Sequence, residues 1–363
     1  MQQALSILAP GEIYGGAERQ LIDLCSQYFS LGQHFKVYLF HKREVASRLE
    51  KIGIVPVILD GGHKYSTSNA NDFASEIIRN NISVVHAHGY RAMVTCAIAR
   101  KKADFMVVKT EHGLPEKAGS VIGRVKTEIN HQLDNRATRE CCDSVCYVTK
   151  DLMKNCQKQH RNINKHVIYN GITPIDARDF VRPESFNPSK NNIVIAGRVS
   201  EVKGINYAIE AMSNSLMPDN SILHIVGDGP LLEFYKESAS NSDIIVFHGF
   251  RRDAMNFIAH ADVLLMPSMH EGLPYTLLEA MSLETPVIVS EVGGMAEVID
   301  NNITGILLPP KDSDEIARAC KRVLNDGQLS QTLVTNAAKL QREKFTLDQM
   351  AESYLKVYSD VSR

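Results

Sequence analysis

Met266-Pro-Ser-Met-His-Glu271-Gly272-Leu273-Pro274-Tyr275-Thr276-Leu-Leu-Glu279-Ala280-Met281 closes an apolar run and opens a helical one. The run Val263 to Met266 has the length of a buried strand, Gly272 and Pro274 punctuate a turn, and the apolar spacing from about Tyr275 is that of a helix. Glu271 therefore falls in the turn and Glu279 about one turn into the helix. Free N–H groups at a helix N-terminus favour a phosphate, and a carboxylate on either side accepts hydrogen bonds from sugar hydroxyls. The stretch reads as a nucleotide-sugar site. Acidic residues in a first helical turn are also ordinary partners of the helix dipole, so the pair gains weight only from the segments around it.

Outward from this unit the same alternation repeats. Strand candidates in the second half are Asn192–Ala196, Ile222–Val226, Ile244–Phe247, Val263–Met266, Val287–Ser290 and Gly305–Leu307. In the first half they are Leu5–Leu8, Lys36–Phe40, Val55–Leu59, Ser83–His86, Phe105–Lys109 and Val145–Val148, with helical stretches such as Ala17–Leu31, Ala70–Asn80 and Ala92–Lys101 between them. Strands alternating with helices predict α/β architecture with parallel sheets covered on both faces. The stretch from Thr173 to Asn192 holds Pro174, Pro183 and Pro188 and little apolar periodicity, so it marks a boundary. The expectation is a Rossmann-like domain over 1–173, a linker over 174–191 and a second Rossmann-like domain over 192–345. Two such doubly wound domains would face a central cleft at the carboxyl ends of their strands. A last helix from about Thr346, carrying Met350, Tyr354, Leu355, Val357 and Tyr358 on a helical period, would pack back on the first domain.

A chain of 363 residues, 44% apolar and 23% charged, has material for two cores and an ordinary soluble composition. No apolar run is long enough to span a bilayer, and the N-terminus lacks a basic segment before its short apolar stretch, which predicts a cytoplasmic protein. The seven cysteines lack CxxC spacing, so reduced thiols are expected and no metal site. Residues 1–173 carry 23 Lys/Arg against 16 Asp/Glu, and the whole basic excess lies between Arg91 and Lys165. That segment, 91–165, suits peripheral contact with an anionic membrane or a phosphorylated acceptor, and equally a solvated basic surface. No aromatic-basic interleaving or DNA-binding motif points to nucleic acid.

Other segments suit phosphate and sugar. Gly15-Gly16-Ala17-Glu18 follows the first strand and opens a helix, where glycine permits close approach of an anion to the backbone. Ala196-Gly197-Arg198-Val-Ser-Glu-Val-Lys203-Gly204 follows the first strand of the second half, where Arg198 and Lys203 would converge on one pyrophosphate. The turns Val226-Gly227-Asp228-Gly229-Pro230 and His248-Gly249-Phe250 lie at two further strand ends, suited to a base edge and ribose.

Together these segments, with HAHG at His86 to Gly89, TEHG at Thr110 to Gly113, YNGI at Tyr169 to Ile172 and Val292-Gly293-Gly294-Met-Ala-Glu297, resemble family 4 of the retaining glycosyltransferases, of the GT-B fold. The resemblance covers nearly the whole chain. It implies that Arg198 and Lys203 bind the donor diphosphate, that Glu279 accepts hydrogen bonds from the ribose, and that Glu271 orients the transferred sugar. It implies phosphate contacts from backbone amides around Leu273, Tyr275 and Thr276, a sugar contact from His112, and a loop at Gly16 closing over the diphosphate. His88 is a lesser candidate on the acceptor side. No DxD-type metal motif stands out, and no cofactor is expected beyond the nucleoside-diphosphate sugar itself, UDP-linked before GDP-linked. The acceptor would be a glycan or a lipid-linked glycan in cell-surface polysaccharide or glycoconjugate synthesis. Competing readings are a nucleotide-sugar epimerase or phosphorylase on a similar scaffold, and a non-catalytic sugar-nucleotide binder.

Overall fold

The computed structural model describes residues 4–12, 15–59, 66–113 and 121–361, the last of these segments with side chains from 123 onward. It contains two compact units, one formed by Met1–Asn170 with Leu347–Arg363 and the other by Gly171–Thr346. Both are parallel sheets with helices on either face, the doubly wound α/β class expected from the alternation.

In the first unit the strands are β1 (Leu5–Ala9), β2 (Phe35–Leu39), β3 (Val57–Ile58), β4 (Val84–His88), β5 (Met106–Glu111), β6 (Ser144–Tyr147) and β7 (Asn164–Val167), ordered β3-β2-β1-β4-β5-β6-β7. The order reverses between β1 and β4, which register Leu5 against Val84 and Ile7 against His86. Every residue of β1 and β4 is buried, as a central parallel strand covered on both faces requires. The helices are α1 (Gly16–Ser30), α2 (Glu44–Lys51), α3 (Thr67–Arg79), α4 (Gly89–Ala99), α5 (Val121–Cys141) and α6 (Lys150–Cys156). One face of the sheet is covered by α1 and α2, with Leu21, Leu24, Tyr28 and Leu49 in a core that also takes Ile7, Val37 and Val84. The other face carries Phe73, Ala92, Met93 and Ala137 against Leu8, Val85 and Val107.

Two departures from expectation have local reasons. The strand expected over 55–59 is reduced to Val57–Ile58, because Pro56 has no N–H to give a ladder. The strand β7 has no counterpart in the expected set: Asn-Lys-His-Val is weakly β-forming, and it is ordered as an edge by pairing with β6 from Ser144↔Asn164 to Tyr147↔Val167.

The second unit has β8 (Asn191–Ala196), β9 (Ser221–Val226), β10 (Ile245–Gly249), β11 (Val263–Met266), β12 (Val287–Ser290) and β13 (Ile306–Leu308), ordered β10-β9-β8-β11-β12-β13. Its reversal lies between β8 and β11. Helices α7 (Ile205–Met212), α8 (Leu232–Ser238), α9 (Ala254–Ala259), α10 (Tyr275–Ser282), α11 (Gly293–Val298), α12 (Ser313–Asn325) and α13 (Gly327–Lys344) complete it. The stretch expected as a linker packs onto this unit: Phe186 is buried with its ring 4.6 Å from that of His224 and 5.5 Å from that of Phe257, and Ile175 N–H donates to Ser282 Oγ at 2.8 Å.

The chain then returns as α14 (Leu347–Val361), whose Met350, Ala351, Tyr354, Val357 and Tyr358 join the core of the first unit. Among the described residues no helix is long and apolar enough to cross a membrane. The seven cysteines are free, and burial pushes the thiols of Cys141, Cys156 and Cys320 up to about 12.

Candidate functional site

In an open α/β sheet the groove for a ligand lies beyond the carboxyl ends of the strands where their order reverses. In the second unit the loops leaving β8 and β11 flank that point. The first carries Gly197, Arg198 and Lys203; the second carries Glu271 and leads to α10. The two loops are tied together. Met269 N–H donates to Val202 O at 2.7 Å, Lys203 Nζ pairs with Glu271 Oε1, and Ser268 Oγ donates to the same carboxylate oxygen at 3.0 Å. Lys203 and Glu271 keep only 24% and 14% side-chain exposure, so the pair is shielded although it lies at a loop surface. A lysine ammonium has three donors, and one directed at Glu271 leaves the others for an oxyanion. Arg198, on the same loop as Lys203, is exposed and has interactions of its own.

Three glycines make this closeness possible. A Cβ on Gly204 would stand 2.1 Å from Pro267 O, one on Gly293 1.8 Å from Glu271 O, and both residues have positive φ. Gly294 N–H also donates to Gly272 O at 3.0 Å, so the Glu271 turn is gripped by the β8 loop on one side and by α11 on the other. Gly227, at the end of β9, has φ +150 and would place a Cβ 1.8 Å from Gly197 O. Adjacent strand ends are thereby stitched in sequence, with Gly197 N–H donating to Val226 O at 2.9 Å and Gly227 N–H to Gly249 O at 2.8 Å. Phe250, next along this rim, is 72% exposed.

The helix expected near Tyr275 starts there, with Pro274 as N-cap and no side chain capping its terminus. Leu273 and Tyr275 are buried and Thr276 lies in the first turn. Glu279 is 6% exposed, one turn in, and has partners of its own. The structure therefore brings Arg198, Lys203, Glu271 and the α10 terminus to one switch point, with Gly227 and Phe250 along the same rim.

The first unit presents a second group at its own strand ends. Gly15 caps α1, and its N–H donates to Glu18 Oε2 at 3.1 Å; burial raises the Glu18 carboxyl while the backbone N–H groups of Glu18 and Gly15 draw it down. Gly15 and Gly16 are exposed, and neither has a positive φ or a neighbour close enough among the described residues to demand glycine. His88 ends β4 and His112 follows β5, and their rings stack at 5.3 Å with His88 Nδ1 3.1 Å from His112 Nε2. Burial, with the Lys109 ammonium nearby, lowers His112 to about 4, so its imidazole is neutral at ordinary pH.

Several features here have no local sequence signal. Lys109 is fully buried between Glu111, at 2.5 Å, and Asp134, at 2.7 Å, which is visible only once β5 and α5 are side by side. His224 and Asn192 likewise become partners only through the sheet. Among the described residues no group of His, Cys, Asp or Glu is arranged to hold a metal ion.

Comparison with known proteins agrees with this geometry. Residues 14–174 match Glycosyltransferase Family 4, and residues 176–340 match Glycosyl transferases group 1. A relative, Uncharacterized glycosyltransferase MJ1607 of Methanocaldococcus jannaschii, is 33% identical over 244 residues; the match spans 63% of this chain and 62% of that protein, under two thirds of its length. The UDP-Gal:alpha-D-GlcNAc-diphosphoundecaprenol alpha-1,3-galactosyltransferase of Escherichia coli is 26% identical over 69% of each chain. Among solved structures, Anabaena Alr3699/HepE in complex with UDP superposes with TM-score 0.83 at 20% identity over 99% of this chain and all of that one, and its UDP-glucose complex with TM-score 0.82. With paired matches along the chain and two doubly wound sheets, the protein belongs to the group 1/family 4 glycosyltransferases of the GT-B fold.

Proposed function

We propose that this enzyme is a retaining hexosyltransferase that moves a sugar from a UDP-sugar to a glycan or lipid-linked acceptor, in cell-surface polysaccharide or glycoconjugate synthesis. The observation that carries the reading is the Lys203–Glu271 pair beside Arg198 and the α10 terminus at the switch point of the second sheet. Lys203, Arg198 and the amides around Leu273, Tyr275 and Thr276 hold the diphosphate, Glu271 faces the sugar hydroxyls, and Glu279 takes the ribose. Gly227 and Phe250 border the base. UDP in HepE and the UDP-galactose donor in the name of the Escherichia coli relative support UDP over GDP. No neighbour among the described residues requires glycine at Gly15 or Gly16, which leaves the backbone there open to an anion.

The chemistry rests on the leaving group. The bond from the anomeric carbon to the β-phosphate oxygen breaks while the acceptor oxygen attacks from the same face, and the departing phosphate oxygen takes the acceptor proton. Fixed cations stabilise the charge that develops on UDP. His112 contacts the donor sugar as a neutral imidazole. No cofactor beyond the donor is invoked.

A membrane-bound acceptor is supported by α5. It carries Arg124, Lys126, Arg136 and Arg139, with Val125 and Ile129 exposed one turn apart. Exposed apolar residues among basic ones suit the surface of an anionic leaflet, where the cytoplasmic protein would dock peripherally; residues 114–120 of the basic segment lie outside the described residues. Sedimentation with phosphatidylglycerol vesicles should pellet the protein at low salt and release it at high salt, and no pelleting at low salt removes this part.

The donor assignment is tested by thermal shift with UDP-glucose, UDP-galactose, UDP-N-acetylglucosamine and GDP-mannose, since a ligand bound to the native state raises Tm. A rise with one UDP-sugar, and a product in which the new bond keeps the donor's anomeric configuration by NMR, is expected. A response to GDP-mannose alone, an inverted product, or turnover that requires free phosphate would replace the reading.

A further inference from the structure

His86, His88, Thr110 and His112 share one face of the first sheet, because i and i+2 positions of a strand point the same way and β4 and β5 pair with His88 opposite Thr110. Their polar atoms form an ordered set. His86 is held at both nitrogens: Tyr358 Oη lies 2.7 Å from Nδ1 and Thr110 Oγ1 2.7 Å from Nε2, and Thr110 is in turn 2.9 Å from Tyr354 Oη. Both tyrosines come from α14. The His88 ring lies against His86, with centroids 4.2 Å apart, and reaches His112 through Nδ1. His88 is 4% exposed, and its other nitrogen, Nε2, is buried with no hydrogen-bond partner among the described residues.

That last fact orders the protons. A neutral imidazole has one N–H and one bare nitrogen. If His88 carried its proton on Nε2, a buried donor would have nothing to bond, and buried N–H groups without partners are rarer than under-used acceptors. With the proton on Nδ1, the His88 N–H donates to His112 Nε2 and only a bare nitrogen is left unmatched. His112 Nε2 is then an acceptor, and its own proton must sit on Nδ1.

We infer that His88 is a positioning residue, whose Nδ1–H fixes His112 in the Nδ1–H tautomer so that His112 offers its ligand a hydrogen-bond donor. The consequence for turnover rests on the sugar contact proposed for His112; the tautomer itself does not. Burial keeps both rings neutral, lowering His88 well below the ordinary histidine value and His112 to about 4, so the arrangement persists through neutral pH.

A second histidine pair supplies an internal contrast. His224 Nδ1 lies 3.1 Å from His248 Nε2, and His224 Nε2 lies 3.2 Å from Asn192 Oδ1. The amide of Asn192 cannot be reversed, because its Nδ2 faces three acceptors, Asn187 O, Lys190 O and Asp262 Oδ2. Its Oδ1 must therefore accept from His224 Nε2–H, His224 Nδ1 accepts, and His248 carries its proton on Nε2. The two pairs have the same atoms in contact and opposite proton order.

Long-range 1H–15N spectra of the full-length, ligand-free protein labelled at histidine read this directly. His112 should show a protonated Nδ1 and a bare Nε2, and His248 the reverse. A protonated Nε2 on His112, or an even mixture, overturns the inference whether or not any donor is turned over. Among variants, an asparagine amide nitrogen replaces Nδ1 and a leucine replaces neither nitrogen. His88→Leu should leave His112 a tautomer mixture and lower kcat about 10- to 100-fold, a range typical of losing an orienting partner, with less effect on donor KM. His88→Asn should restore the Nδ1–H form and recover most of that loss. Equal losses in the two variants with an unchanged His112 spectrum would reject the positioning role. Failure of every sugar donor with the expected spectrum intact would instead remove the proposed function and leave the tautomer standing.

Discussion

Lys203 and Glu271 stand 68 residues apart in sequence and share a charge-assisted contact at the rim of one sheet. Neither is idle without a ligand: each neutralises the other where a bare charge, partly shielded from water, would be costly. Lys203→Ala should therefore lower kcat about 100- to 1000-fold, the range for removing a preorganised transition-state donor, and also free Glu271. Lys203→Arg should not rescue fully, because a planar guanidinium does not fit a site shaped for an ammonium. Steady-state kinetics on both variants, with circular dichroism to confirm the fold, checks this; wild-type kcat in Lys203→Ala would remove it from the diphosphate. Glu279→Gln tests the ribose contact. It should weaken UDP binding by about 1.5–3 kcal/mol if a hydrogen bond to a charged acceptor is lost, measured by calorimetry, and an unchanged Kd would reassign Glu279 to the helix alone.

At the scale of elements, what matters is how tightly turns are clamped. The Glu271 turn depends on Gly293, since any side chain there meets Glu271 O at 1.8 Å on a residue with φ +49. Gly293→Ala should displace the turn, cost about 1–3 kcal/mol of stability as overpacking does, and lower donor affinity at least as far as Glu271→Ala. Thermal denaturation and donor titration together test it; native donor affinity would show that the turn is not what places Glu271. The other decisive element is α14. Its Tyr354 is fully buried, with its ring 5.0 Å from His86, so Tyr354→Ala should cost about 3–5 kcal/mol, seen as a lower urea midpoint. Tyr358→Phe keeps the ring and removes only the hydroxyl bonded to His86, so it should cost less, about 1–3 kcal/mol for the partner left unmatched. No loss in Tyr358→Phe beside a large loss in Tyr354→Ala would assign α14 to packing alone.

At the scale of the molecule, buried neutral histidines give the fold an acid sensitivity. Burial lowers His86 to about 3 and His112 and His160 to about 4, against an ordinary value of 6.5. Between about pH 6.5 and 4 the unfolded chain binds protons at these positions and the folded chain does not, so stability is full above that window and falls as pH drops through it. These three lie in the first unit, whereas His224, lowered to about 4, lies in the second. Calorimetry should show Tm falling between pH 8 and pH 5, and hydrogen exchange should show the first unit losing protection sooner. A flat Tm across that interval would mean that these rings are solvated in the native state.

Much of this architecture is legible in the chain. The runs Val263–Met266 and Val287–Ser290 are strands at the residues expected, because a short apolar run between Gly/Pro turns has few other folded states, and α10 begins at Tyr275 because Pro274 ends the extended segment before it. Arg198, Lys203, Glu271, Glu279 and His112 are legible as candidates through the order of their motifs. What the chain alone leaves open are pairings between distant segments. Nothing near Lys203 names Glu271 as its partner, nothing in HAHG says that His88 Nδ1 meets His112, and β7 is a strand only because β6 stands beside it. Local periodicity and turn chemistry act over a few residues, so the sequence by itself determines the elements and their kind. Parallel strands joined by crossovers bring together residues dozens of positions apart, so the tertiary structure alone decides which cation meets which carboxylate and on which nitrogen a histidine keeps its proton.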